Sequence, residues 1–189
     1  MAAGVQIALL RGINVAGQKS VEMARLRSVF SSLGFQNIST YVQSGNVVFS
    51  ARSGSTTAMR GRIEAAIAGH FGFEVPVLLR TAEEMRLIVK ANPFAKERAL
   101  DPARMHIMFL DKPAPARTDS ELKALAAPGE RWQATGKELY LYCPDGYGRS
   151  KLSNRGIETK LDLLATTRNW KTTQTLLEMA SKARGTNPT

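Results

Sequence analysis

The hydrophobic positions of residues 1–80 change period along the chain, and the order of the periods predicts a mixed fold. An aliphatic run from Gln6 to Leu10 is typical of a short buried strand. A helix is expected next, because apolar residues repeat at helical spacing between Ser20, which can cap it, and Gly34, which ends it. Its inward face would consist of Met23, Leu26, Val29, Phe30 and Leu33.

The rest of this region predicts a hairpin, a second helix and a fourth strand. Residues 38–42 and 46–49 are rich in strand-forming residues and flank Ser44-Gly45, a hairpin signal. Apolar spacing favours a helix over about residues 57–69, and residues 74–80 indicate a strand. The order β-α-β-β-α-β is that of a ferredoxin-like unit, an antiparallel sheet with two helices on one face. We therefore expect residues 1–80 to form a ferredoxin-like α+β subdomain.

Residues 81–189 repeat this alternation less clearly and predict a second α+β subdomain with a helical C-terminal segment. The expected strands are residues 104–110, 131–135 and 138–143, the last two joined by a turn at Gly136-Lys137. The expected helices are residues 82–90, 119–126, 160–164 and 170–181. A polar break is expected before Trp170, and no exact sequence repeat relates the two halves.

Composition narrows the protein class without identifying a reaction. The chain has 189 residues, of which 43% are hydrophobic and 22% charged, as in ordinary globular proteins. No apolar run approaches the roughly 20 residues of a membrane helix, and Met1 to Leu10 lacks a basic leader segment. We expect a cytoplasmic protein without a membrane partner. The lone Cys143 excludes an internal disulfide, and with His70 and His106 it offers no metal-ligand spacing, so we expect neither a metal nor a cofactor.

The formal charge of +10 is unevenly distributed. Residues 1–80 contain 8 basic and 3 acidic side chains, residues 81–148 contain 10 of each, and residues 149–189 contain 8 and 3. If the fold brings the two chain ends together, they build one cationic surface suited to an anionic partner.

Four polar segments in these basic regions supply the candidate binding residues. The loop from Gly12 to Ser20 nearly matches a phosphate-binding P-loop, but Gln18 separates the second glycine from Lys19, and the predicted sheet is antiparallel. A turn at a helix N-terminus would still suit an anion. The candidate ligand-binding residues are Arg11, Asn14, Lys19, Gln43, Ser44, Asn46, Arg149, Ser150, Lys151, Arg168, Asn169 and Trp170.

Several of these residues have a structural interpretation as well. Ser44 and Asn46 are what a hairpin turn requires, whereas the amide of Gln43 is harder to explain by turn chemistry. Trp170 could stack a base, or it could anchor the last helix beside Leu176 and Ala180. No catalytic triad is evident, and His106 is the one histidine that merits a test as an acid or base.

The same segments carry a resemblance to a known family. They are Leu9-Leu10-Arg11-Gly12-Ile13-Asn14-Val15, Tyr41-Val42-Gln43-Ser44-Gly45-Asn46-Val47-Val48-Phe49, Asn92-Pro93-Phe94, Ser150-Lys151-Leu152 and Thr167-Arg168-Asn169-Trp170. In this order the chain resembles, from Ile7 to about Met179, the uncharacterised bacterial proteins catalogued as domain of unknown function 1697. The resemblance implies a two-part α+β protein of ferredoxin-like character. It implies no activity, cofactor or catalytic residue.

Two functions from different classes fit these observations. The first is binding of an anionic partner, nucleic acid, through a basic surface built from both chain ends. The second is an enzyme or sensor for a small phosphorylated or carboxylated ligand bound between the two halves, where directed amide and guanidinium groups would serve. A third interpretation is that the arginine and asparagine side chains join the two halves by hydrogen bonds.

Overall fold

The computed structural model describes residues 3–15, 19–52 and 54–185, and it consists of strands and helices in alternation. The strands are β1 (Ala3–Leu10), β2 (Gln36–Tyr41), β3 (Asn46–Arg52), β4 (Val77–Thr81), β5 (Met105–Leu110), β6 (Arg131–Thr135), β7 (Glu138–Tyr142) and β8 (Ala165–Asn169). The helices are α1 (Met23–Ser32), α2 (Thr56–Phe71), α3 (Ala82–Ala91), α4 (Thr118–Leu125), α5 (Asn154–Leu161) and α6 (Trp170–Gly185). Three short 3-10 turns lie at Phe94–Lys96, Pro102–Arg104 and Tyr147–Arg149.

Contacts divide the chain into two compact units. Unit 1 combines Met1–Arg86 with Thr175–Thr189, and unit 2 is Leu87–Gln174. The boundaries between the units fall inside α3 and inside α6.

The sheet of unit 1 has the order β2-β3-β1-β4, and every neighbouring pair is antiparallel. In its register Ile7 of β1 lies between Val48 of β3 and Arg80 of β4. Alternate residues such as Ala8 and Leu10 face α1 and α2, where they join the hydrophobic core. The buried centre of that core includes Leu26, Val29, Phe30, Val47, Phe49, Ile63 and Ile67. The ferredoxin-like prediction for this region is confirmed.

Unit 2 has the same topology, which the sequence indicated only in outline. Its sheet has the order β6-β7-β5-β8, again with antiparallel pairs. Ile107 of β5 lies between Tyr140 of β7 and Arg168 of β8, as Ile7 lies between its own neighbours. The core below the helices contains Met108, Leu110, Leu122, Leu139, Leu141, Ile157 and Leu161. The α+β prediction therefore holds for both units.

Two elements near the C-terminus differ from the prediction. The polar break expected before Trp170 is strand β8, whose Ala165, Thr166 and Arg168 are buried. The helix expected over residues 160–164 begins earlier, at Asn154, because the Ser153 hydroxyl caps it by accepting the Gly156 backbone N–H.

Smaller differences concern single residues of unit 1. The Ser20 side chain does not cap α1, since the cap residue is Glu22 and no side-chain bond forms there. His70, whose place in the apolar stripe of this helix predicts a position at the edge of the core, is instead exposed on α2. The strand expected over residues 74–80 begins only at Val77, directly after Pro76, because proline cannot donate a ladder hydrogen bond.

The last strand of each unit continues into a helix without a linker. At the β4–α3 junction the Thr81 hydroxyl accepts the Glu84 N–H, and the Glu84 carboxylate accepts the Thr81 N–H, which is a capping box. At the β8–α6 junction the Asn169 amide oxygen accepts the Thr172 N–H. Within the described part of the chain, none of the helices is both long and apolar enough for a membrane span.

Candidate functional site

The structure places the first two predicted binding segments together at one end of the unit 1 sheet. The Leu10 N–H donates to the Gly45 carbonyl at 2.8 Å. The Asn14 amide nitrogen, Nδ2, donates to the Gln43 carbonyl at 2.7 Å. The loop after β1 and the turn between β2 and β3 are therefore joined by hydrogen bonds.

The two asparagine amides of these segments are used inside the protein. Asn14 also donates to the Val21 carbonyl at 2.9 Å and accepts the Val21 N–H at 2.8 Å. The buried Asn46 donates to the Tyr41 carbonyl at 3.1 Å and to the Ser44 hydroxyl at 3.0 Å. These bonds support the structural interpretation of both amides, since each holds a loop closed.

The remaining candidates in this region lie at the surface. Arg11 is half-buried, and its backbone N–H donates to the Pro76 carbonyl. Lys19 is exposed and donates to the Glu74 carbonyl at 2.7 Å, while Gln43 and Ser44 are also exposed. The predicted phosphate loop runs through Ala16, Gly17 and Gln18, which lie outside the described residues. A ligand role for this region stays a prediction.

The candidates of unit 2 fall into buried and exposed groups. Arg168 is buried, and its guanidinium donates to the Thr166 hydroxyl at 2.8 Å and to the Thr167 carbonyl at 2.9 Å. Burial lowers the pKa of Arg168 to about 10. The buried Trp170 begins α6, directly after the capping residue Asn169.

The Arg149-Ser150-Lys151 segment starts at the last residue of the 3-10 turn that begins at Tyr147. The Ser150 hydroxyl accepts the Leu152 N–H at 2.9 Å, which fixes the chain direction after the turn. Arg149 and Lys151 are both exposed. The expectation that the two chain ends form a single cationic surface stays a prediction.

A polar cluster that surrounds His106 adjoins this segment in unit 2. The His106 ring stacks on the Tyr147 ring, with centroids 4.8 Å apart and planes 23° apart. Burial lowers the His106 pKa, and a bond from its Nδ1 to the Arg104 carbonyl opposes that effect. The Tyr147 hydroxyl donates to the Thr167 hydroxyl at 2.9 Å, which donates in turn to Asn154 at 2.7 Å.

One cavity lined by described residues was not predicted from the sequence. It lies in unit 1, where the end of α1, the start of β2, the end of β3 and the start of α2 meet, and it encloses about 520 Å³. The described residues that line it are Leu33, Gly34, Phe35, Gln36, Ser50, Ala51, Arg52, Gly54, Ser55, Ala58, Met59 and Arg62. We call it the α2 pocket.

The electrostatics of the α2 pocket favour an anion. Arg52 and Arg62 are in its lining, and no aspartate or glutamate is among the described lining residues. The first turn of α2 contains no acidic residue either, so no carboxylate competes for the positive end of this 16-residue helix. The Ser55 hydroxyl caps the helix by accepting the Ala58 N–H at 3.3 Å.

The two arginines are held differently. One terminal nitrogen of Arg62 donates to the Leu33 carbonyl at 3.0 Å, and its guanidinium carbon lies 5.9 Å from the centre of the Phe35 ring. Arg52 is exposed at the end of β3, and its side chain has no hydrogen-bond or ion-pair partner among the described residues. Both guanidinium groups therefore keep donors for a ligand.

The lining suits binding better than metal or acid–base chemistry. In the described parts of the chain, no group of three histidine, cysteine, aspartate or glutamate side chains could hold a metal ion. The described lining of the α2 pocket includes none of these four residue types. Its chemical groups are guanidiniums, hydroxyls, one amide and apolar surface.

Comparison with known proteins identifies the family. A family model described as "Protein of unknown function (DUF1697)" matches residues 4–140. The chain belongs to the DUF1697 family. The matched region of this DUF1697 protein includes every described lining residue of the α2 pocket.

A solved structure supports the fold of this DUF1697 protein. It is the structure of the conserved bacterial protein SP0830 from Streptococcus pneumoniae, which aligns with a TM-score of 0.75 and 24% sequence identity. The alignment covers 95% of this chain and 99% of the pneumococcal chain. No match is found among the curated proteins. At this identity the comparison establishes the α+β architecture and leaves the ligand to the site itself.

Proposed function

We propose that this DUF1697 protein binds a small phosphate-bearing ligand in the α2 pocket. The observation that carries the proposal is a cavity of about 520 Å³ with two arginines and no carboxylate among its described lining residues. Pockets for small ligands and cofactors have volumes of roughly 300–1,000 Å³. A site of this size encloses a metabolite more readily than a polymer.

The donor groups around the pocket match the chemistry of phosphate. A guanidinium binds two phosphate oxygens through parallel N–H groups, and such charge-assisted bonds are stronger than neutral ones. Backbone N–H groups in the first turn of a helix add donors without a counter-charge. In α2 the N–H groups of Ala58 and Met59 are satisfied by Ser55. The N–H groups of Thr56 and Thr57 have no acceptor among the described residues, but neither threonine is in the described lining, so the two arginines carry the proposal.

Isothermal titration calorimetry with inorganic phosphate at constant ionic strength tests the proposal. We expect saturable binding to the wild-type protein. Arg52→Gln and Arg62→Gln should each weaken it by about 10- to 150-fold, because a hydrogen bond to a charged group contributes about 1.5–3 kcal/mol. Arg60→Gln is the matched control, since Arg60 is on the same helix but outside the described lining of the pocket.

The control separates a specific site from general charge attraction. An unchanged affinity in Arg60→Gln, combined with the losses above, supports the α2 pocket. Equal losses in all three variants would show that only net positive charge matters, and the site assignment would fail. Undetectable phosphate binding by the wild-type protein would also overturn the proposal.

A second candidate, binding of single-stranded nucleic acid, has its own observation in unit 2. The stacked His106–Tyr147 pair is followed in the chain by the exposed Arg149 and Lys151. Aromatic platforms beside cations are the usual means of binding single strands. This surface would account for the nucleic-acid interpretation of the basic C-terminal region.

Fluorescence anisotropy with labelled single-stranded RNA across a salt series tests this candidate. The slope of log affinity against log salt is negative, and each phosphate contact that is removed should bring it closer to zero by about 0.7. We expect such a change for Arg149→Gln and for Lys151→Gln, and no change for Lys123→Gln, an exposed lysine on α4. Slopes that are the same in all three variants and the wild type would exclude this surface.

A further inference from the structure

The α2 pocket contains more apolar surface than a site for free phosphate requires. Leu33, Phe35, Ala51, Ala58 and Met59 all contribute to its lining. A phosphate ion has no apolar surface to place against these side chains. Their presence indicates that the ligand has an apolar part in addition to its anionic group.

The apolar wall of the pocket is anchored in the core of unit 1. The Phe35 ring is 4.6 Å from the Phe49 ring and 5.9 Å from the Phe30 ring, measured between centroids. Phe49 and Phe30 are fully buried, and Phe35 retains 9% of its surface. Such a wall is preorganised, so a ligand would not have to order it on binding.

Arg62 places a flat cation beside this wall. Its hydrogen bond to the Leu33 carbonyl and its position near the Phe35 ring fix the guanidinium where cationic and apolar surfaces meet. A guanidinium can bind an anion through its N–H edge and stack on an aromatic ring through its face. A ligand that combines a phosphate group with a planar ring would satisfy both.

We infer that the α2 pocket takes a small phosphomonoester that carries an aromatic ring. The inference rests on the proposed phosphate-binding function of the same pocket. The phosphate group binds to the guanidiniums of Arg52 and Arg62, and the ring lies against the wall that includes Phe35 and Met59.

Calorimetry with three probes tests the inference: inorganic phosphate, cyclohexyl phosphate and phenyl phosphate. We expect phenyl phosphate to bind at least tenfold more tightly than inorganic phosphate, which corresponds to about 1.4 kcal/mol. Cyclohexyl phosphate should bind at least threefold more weakly than phenyl phosphate, because it cannot stack. Met59→Ser should reduce the ratio of the phenyl phosphate affinity to the inorganic phosphate affinity, because Met59 is part of the apolar wall.

The outcomes distinguish the inference from the proposed function. Equal affinities for inorganic phosphate and phenyl phosphate would overturn the inference and leave phosphate binding intact. Cyclohexyl phosphate that binds as tightly as phenyl phosphate would overturn the aromatic requirement. If none of the three probes binds, the proposed function itself fails. The affinities of the three probes for the wild-type protein test the aromatic requirement even if Met59→Ser does not fold.

Discussion

Gly45, in the turn between β2 and β3, allows a quantitative test of how closely this turn packs against Leu10 and Ile13. Its φ angle is +74°, and an added Cβ would lie 2.6 Å from Leu10 Cβ and 2.9 Å from Ile13 Cδ1. Both neighbours are buried, and the Leu10 N–H is bonded to the Gly45 carbonyl, so Leu10 cannot move away without losing that bond. Gly45→Ala should therefore strain the backbone and overpack the core.

The expected loss in the free energy of unfolding of Gly45→Ala is the sum of two effects. A left-handed conformation costs a residue with a Cβ about 1–2 kcal/mol. Overpacking a close-packed core typically costs about 1–3 kcal/mol. Together they predict that Gly45→Ala lowers the free energy of unfolding by about 2–5 kcal/mol.

Gly72 provides the matched control. It ends α2 with a φ angle of +78°, and an added Cβ would meet no atom within 4 Å. Gly72→Ala should lower the free energy of unfolding only through backbone strain, by about 1–2 kcal/mol. The difference between the two variants therefore isolates the clash with Leu10 and Ile13.

The assay must report on unit 1. Trp132 and Trp170 both lie in unit 2, so tryptophan fluorescence would follow the wrong unit. Amide hydrogen exchange at Leu10 across a urea series reports on unit 1 and gives the required free energies. Equal destabilisation by Gly45→Ala and Gly72→Ala would refute the close-approach explanation.

Two further predictions concern unit 2. Burial lowers the His106 pKa, so near pH 6.5 the unfolded state binds more protons than the folded state, and the free energy of unfolding should fall as the pH drops below about 6.5. In urea-unfolding experiments from about pH 5 to 8, His106→Phe should flatten this pH dependence. A pH profile identical to that of the wild type would contradict the prediction. Arg168→Ala should lower the free energy of unfolding by about 2–4 kcal/mol, because it removes the donor to Thr166 and Thr167 and leaves a cavity. Urea unfolding that is unchanged from the wild type would contradict a structural role for Arg168.

The elements of unit 1 were predictable because their patterns are strong and local. The apolar positions of α1 repeat at helical spacing, and Ser44-Gly45 separates two strand-forming runs. Strand β8 was missed because Thr166, Thr167 and Arg168 are polar, although the first and the last are buried. Sequence polarity does not indicate that Arg168 will donate to Thr166 and Thr167 of the same strand, and these bonds make its burial tolerable.

The α2 pocket was missed for a different reason. Glycine-marked segments drew attention to Asn14 and Asn46, whose amides are bonded within the protein. Arg52 and Arg62 are ten residues apart and belong to different elements, so only the fold shows that they share a cavity. A local signal did exist, since α2 begins with Ser55 as its cap and has no acidic residue in its first turn.

The division of α6 between the units has a consequence for protein synthesis. Thr175–Thr189 belong to the same unit as Met1–Arg86, and the Arg184 guanidinium lies 3.9 Å from the Glu83 carboxylate. A ribosome releases the N-terminal sheet before unit 2, and unit 2 before residues 175–189. All of unit 2 therefore emerges, and has time to fold, while unit 1 still lacks its final segment. The unit that is begun first is completed last, and its exposed surface must stay free of aggregation throughout that delay.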